Sequence, residues 1–164
     1  TLTVQRTVQN ESWLFWGQIP LPDTRPLEEL QQQIDHFRDA EGRKVFRKQF
    51  QFAHLPTVFR RAIWWWNLNV ATHRRAKRLG TFFLSTLAGR GAEIQLPPSI
   101  QTGCLTFGPL DESSVSRVTL AYDHRVLDGA LVADVLLRLE QTLNETLVAE
   151  LESIGSSARS TKAA

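Results

Sequence analysis

Apolar and polar residues alternate from Thr1 to Val8, with Leu2, Val4 and Val8 in phase. A period of two is that of a half-buried strand, so this segment predicts one. Gln9-Asn10-Glu11 is a short polar break, and Ser12 to Ile19 predicts a second, aromatic-rich strand. Pro20, Pro22 and Pro26 frame a loop, with Pro26 placed to open a helix. Leu27, Leu30, Ile34 and Phe37 then repeat at helical spacing until Glu41-Gly42 interrupts them. Arg43 to Leu79 is helical in pattern, broken at Pro56. Thr81 to Leu87 predicts a short strand, and Ala88 to Ser99 a loop rich in glycine and proline. Gln101 to Phe107 and Val115 to Tyr122 predict two strands joined through a Gly108-Pro109 turn. Leu131, Val132, Val135, Leu136, Leu139 and Leu143 line one face of a final helix. Gly155 to Ala164 is small and polar and predicts a disordered tail.

Strands, helices, strands and a last helix in that order argue for an α+β fold, with a mixed or antiparallel sheet and helices packed on one face. The 164 residues suit one domain over 1–154, large enough to bury a core. Hydrophobic residues at 42% and charged residues at 22% are ordinary for a globular chain. A net charge of +2 gives no ground for a nucleic-acid partner. Cys104 is the single cysteine, which excludes an intrachain disulfide and a thiolate metal cluster. It suits a reducing, cytoplasmic setting. No apolar run approaches the ~18 residues of a membrane span. The chain starts at Thr1 inside a strand pattern and contains no methionine. The expectation is that part of the natural N-terminus is absent.

The segment richest in chemistry is Asp123-His124-Arg125-Val126-Leu127-Asp128-Gly129. It puts a histidine where a predicted strand ends and an aspartate where a predicted helix begins. A base that must stay aimed at a substrate proton needs such rigid flanks. Taken alone, a histidine is more often structural than catalytic. Asp128 can cap the helix, and Gly129 suits a tight turn or a close backbone approach. Asp123 and Arg125 read as solvated or ion-paired charges. His36 and His54 lack partner ligands, so no metal site is expected, and Cys104 reads as a small buried hydrophobe.

Tyr122 to Ala130 closely resembles the active-site segment of the dihydrolipoamide acyltransferases, the core subunits of 2-oxoacid dehydrogenase complexes. Chloramphenicol acetyltransferase shares the histidine and the Asp-Gly. Gly80-Thr81-Phe82-Phe83-Leu84-Ser85-Thr86-Leu87 is similar to the family's strand that carries a conserved hydroxyl. Pro97-Pro98 and the strand Thr102 to Gly108 follow in the family's order. The resemblance runs from Gly80 to about Leu143. It implies a chloramphenicol acetyltransferase-like fold, with this chain as the C-terminal portion of the family domain. It implies an acyltransferase that moves an acyl group between coenzyme A and a thiol, hydroxyl or amine acceptor. His124 would be the general base, worth ~10²–10⁴-fold in rate. Ser85 would donate to the oxyanion, worth ~10²–10³-fold. Asp128 would brace the histidine loop by pairing with an arginine. The resemblance also implies a homotrimer, with His124 of one subunit facing Ser85 of the next. Coenzyme A enters as a substrate, and no lipoyl attachment lysine is present. Leu96 stands where the family has an asparagine, and the glycine-rich stretch is reduced to Ala88-Gly89-Arg90-Gly91-Ala92. These departures suit a second reading, a non-catalytic trimeric scaffold of the same fold.

Trp64-Trp65-Trp66 lies outside that resemblance. Three adjacent residues span ~200° of a helix, so they cannot share one face. One reading is a membrane-surface or partner-binding helix, with Arg60 and Arg61 beside it. The other is two tryptophans under the sheet and one in a subunit contact or acyl channel. His73, Arg74, Arg75, Lys77 and Arg78 read as a solvated helix end or as a site for coenzyme A phosphates.

Overall fold

The computed structural model describes residues 1–71, 74–97 and 99–154. His73, Pro98 and the 155–164 tail therefore lie outside the described residues. The chain divides into two compact units, Thr1–Ala121 and Tyr122–Ala164.

The first unit is a mixed sheet with helices. Strands β1 (Leu2–Val8) and β2 (Glu11–Gly17) form an antiparallel hairpin, in register from Leu2 opposite Gly17 to Val8 opposite Glu11. Its two-residue turn holds Gln9 and Asn10 at φ 53° and 63°. Left-handed backbone at both turn positions matches the twist of the strands. The helices α1 (Leu27–Asp39), α2 (Gly42–Val45), α3 (Arg47–Ala53), α4 (Thr57–Asn69) and α5 (Arg75–Leu79) follow. Pro56 immediately precedes α4, which explains the break between α3 and α4. Strands β3 (Phe82–Thr86), β4 (Gly103–Leu110) and β5 (Ser116–Tyr122) complete a sheet of order β2-β1-β3-β4-β5.

Strand β3 runs parallel to both β1 and β4, pairing Leu84 with Leu2 and Ser85 with Thr106. Parallel neighbours need long crossovers. The helical stretch supplies the first, and the segment after β3, which contains the 3-10 turn Ala88–Arg90, supplies the second. The β4–β5 turn is not at Gly108-Pro109, because β4 continues to Leu110. Asp111 makes the turn instead. Its Oδ1 accepts from the Ser113 and Val115 amides, each at 2.9 Å, and Ser114 takes φ 61°.

Val4, Phe15, Phe37 and Phe46 form the core of this unit. The Phe15 and Phe46 rings stack 4.6 Å apart. Helix α1 comes so close to β2 that a Cβ on Gly17 would lie 2.6 Å from Phe37 Cδ2. Arg6 closes this same C-terminal end of α1, donating to the carbonyls of Phe37 (3.0 Å), Arg38 and Ala40 (2.5 Å). These carbonyls have no partner inside the helix, so a guanidinium is well placed there. Along β2, the Gln49 side chain donates to the Trp16 carbonyl (2.8 Å) and accepts from its amide (3.0 Å).

The second unit holds the end of β5, the turn after it and helix α6 (Gly129–Gln141). Helix α6 continues through a π-helical stretch, Thr142–Leu147, and residues 148–154 are again helical. Among the described residues no helix is long and apolar enough to cross a membrane.

Candidate active site

His124 sits in the turn that links β5 to α6, with its side chain exposed. The turn is closed by the Asp123 carbonyl, which accepts from Val126 N (2.9 Å) and Leu127 N (3.1 Å). The Asp123 carboxylate adds a second clamp. Its Oδ1 accepts from the Arg125 amide (3.0 Å) and Nε (2.9 Å), and its Oδ2 from the guanidinium at 2.7 Å. The hydrogen bond and charge of Asp123 hold the Arg125 guanidinium above its ordinary value. This is an ion pair within one loop, and it stiffens the residues on either side of the histidine. The His124 ring lies 5.7 Å from the Tyr122 ring, tilted by 41°. No hydrogen bond from the described residues occupies its nitrogens, so both are open to a partner in solution.

Asp128 caps α6. Its Oδ1 accepts from Ala130 N at 2.6 Å and Leu131 N at 3.4 Å, while its backbone is extended at φ −97°, ψ 161°. That satisfies two of the orphan amides of the helix start. No arginine among the described residues pairs with it. Gly129 is not required by geometry, because its φ is not in the left-handed region and a Cβ would meet Tyr122 Oη at an ordinary 3.5 Å. The reading of Gly129 as a tight-turn glycine is corrected accordingly.

Ser85 belongs to the first unit, on β3, half-buried between β1 and β4. Its hydroxyl shares a hydrogen bond of 2.9 Å with the Thr3 hydroxyl. Thr106, opposite Ser85 on β4, is buried and donates to the Ile94 carbonyl at 2.7 Å. The Ser85 hydroxyl thus lies beside a second hydroxyl that can donate to it.

His36 lies near the Phe37 ring, and the His54 Nδ1 is 2.7 Å from the Phe50 carbonyl. No metal-binding cluster forms among the described residues. Cys104 is fully buried on β4, and burial pushes its thiol pKa up. The tryptophan triplet is disposed differently from the reading that packs two of the three. Only Trp64 is half-buried, edge-on to Trp16 (6.2 Å) and Phe52 (6.0 Å). Trp65 and Trp66 are 60% and 55% exposed, on a face of α4 with exposed Val58 and Phe59. A triplet spreads around the helix, so Trp16 on β2 and Phe52 on α3 cover one member alone.

Two features escaped the residue-by-residue reading. One is charge segregation: from Gly42 to Ala92 the chain has eleven lysines and arginines and no aspartate or glutamate. The small net charge hides it, because the acids are concentrated elsewhere. The other is a cleft of about 1080 Å³ inside the first unit. Its walls come from segments far apart in sequence, so no local pattern announces it.

No family model matches the chain, and no curated protein does. Among solved structures, it is similar to the dihydrolipoamide acetyltransferase of Azotobacter vinelandii, at a TM-score of 0.51 and 16% identity. The match covers 88% of this chain and 54% of the other, so the chain spans about half the length of that protein. A serine, a histidine and an asparagine have been investigated for their role in that enzyme's catalytic mechanism. The likeness supports a structural relationship to an acyltransferase catalytic domain, and a mixed α+β fold compatible with it.

Proposed function

We propose that this chain is an acyltransferase of the chloramphenicol acetyltransferase-like class, with 1–154 acting as one catalytic domain. The observation that carries the reading is the mounting of His124. A strand ends before it, an aspartate clamp stiffens its turn, a capped helix follows, and its ring nitrogens are free. The Azotobacter enzyme's histidine and asparagine lie four residues apart, as do His124 and Asp128. Asparagine and aspartate are equivalent helix caps, so the exchange preserves the support while changing its charge.

In this reading His124 takes the proton from an acceptor thiol, hydroxyl or amine. The freed lone pair attacks the thioester carbonyl of acyl-coenzyme A. The tetrahedral oxyanion accepts a hydrogen bond from Ser85, whose oxygen is in turn supported by the Thr3 hydroxyl. Collapse breaks the carbon–sulfur bond, and the coenzyme A thiolate takes the proton back from the imidazolium. Asp128 acts by holding the start of α6. A homotrimer sharing each site between neighbours belongs to the same proposal. Exposed Leu131 and Val135 on α6, with Leu143 in the π-helical stretch after it, would be buried against another copy.

Acetyl-coenzyme A turnover with dihydrolipoamide as acceptor tests this. His124→Ala should lose ~10²–10⁴-fold, and Ser85→Ala ~10²–10³-fold. Mixing the two variants should restore part of the activity if sites are shared between copies. Equal turnover by wild type and His124→Ala would remove the assignment.

A second reading, a non-catalytic scaffold at a membrane surface, is favoured by α4 and its surroundings. Val58, Phe59, Trp65 and Trp66 form an exposed apolar face within the acid-free stretch. Tryptophan and basic side chains together favour the interface of an anionic bilayer. Flotation with phosphatidylserine vesicles should recover wild type, and Trp65→Ser/Trp66→Ser should stay unbound.

A further inference from the structure

The cleft of the first unit has a composition that selects its occupant. Its walls are mostly apolar, with Trp13 and Trp16 on β2, Phe52 on α3, Trp64 on α4 and Phe83 on β3, and uncharged polar groups such as Gln18, Asn67 and Gln101 lie between them. Its charged lining residues are Lys48, Arg75 and Arg78, and no carboxylate lines it among the described residues. At about 1080 Å³ it is slightly larger than the usual small-molecule site of about 300–1,000 Å³. Arg78 donates to Asn67, another lining residue, which fixes its guanidinium. Lys48 and Arg75 form no ion pair with the described residues. Lys48 and Arg78 are exposed and Arg75 is half-buried, so it is Arg75 that gains most from an opposite charge beside it.

We propose that this cleft binds an anion with an apolar body, of the class of a medium- or long-chain fatty carboxylate. The chain would lie against the aromatic walls, and the carboxylate would meet the cations in charge-assisted hydrogen bonds, bidentate where it meets Arg75. A neutral lipid would leave the half-buried Arg75 without a counter-charge. The inference does not rest on the acyltransferase reading, since the cleft lies within the first unit and excludes His124.

Three of the five tryptophans line the cleft, so intrinsic fluorescence reports occupancy. The full chain is titrated with sodium dodecanoate below its micelle concentration, with dodecanol and AMP as comparisons. Dodecanoate should give a saturable change and bind about tenfold tighter than dodecanol, the scale of a hydrogen bond to a charged group. Arg75→Gln should remove that preference while leaving dodecanol unchanged, and His124→Ala should bind dodecanoate like wild type. Lys48→Gln, at an exposed position, carries the same comparison if circular dichroism shows that Arg75→Gln does not fold. No saturable change, equal affinity for acid and alcohol, or tighter binding of AMP would overturn the proposal.

Discussion

Cys104 is shielded from water by its neighbours in the sheet. It sits on β4 next to β3, with no exposed surface, and burial raises its thiol pKa above the ordinary 9.0. The folded chain therefore keeps a proton that the unfolded chain has lost once pH passes the ordinary thiol range. Bound protons are then more numerous in the folded state, and stability falls as pH rises. Urea midpoints of wild type and Cys104→Ala between pH 7 and 10.5 should diverge, with wild type losing ground above about pH 9. Parallel curves would show that the thiol titrates alike in both states. The sequence indicated a small buried hydrophobe here, because a lone cysteine in an apolar alternation has few other uses. It did not indicate that Ser85 would meet Thr3, because that contact joins two parallel strands 82 residues apart.

At the scale of the element, α6 shows how a few polar atoms place a whole helix. Asp128 supplies the cap, and the helix begins at the next residue. Asp128→Ala should cost about 1 kcal/mol in a thermal or urea melt, while Asp128→Asn should cost only a few tenths. If the aspartate acts only as a cap, Asp128→Asn keeps most of its turnover. The aspartate and the periodic leucines made this helix legible before any coordinates. The β4–β5 turn was misplaced because Gly108-Pro109 looks like a turn. A proline tolerates a strand where its missing N–H removes no ladder bond, and Asp111 offered the stronger local hydrogen bonds. The end of α1 was equally hidden, since its cap is Arg6 from another element.

At the scale of the molecule, sequence order revealed the α+β class but not the sheet. The same strands can be ordered several ways, and long crossovers make β3 parallel to both its neighbours. Local alternation carries no information about that choice. The spread of Trp64 to Trp66 around α4 was foreseeable from helical geometry, but which one would pack was decided by Trp16 and Phe52. The opposed charge blocks, invisible in the total of +2, should make association with anionic surfaces strongly salt-dependent.

Gln49 is the detail with the widest consequence. Its amide group offers Trp16 one donor and one acceptor, as a further strand would, at the open border of the sheet. A border with unsatisfied amides is a template for another chain, and native proteins blunt it. Gln49→Leu keeps the size and removes the imitation. Such a variant should form thioflavin-positive fibrils sooner than wild type at equal thermal stability, so a single glutamine would be a guard against polymerisation.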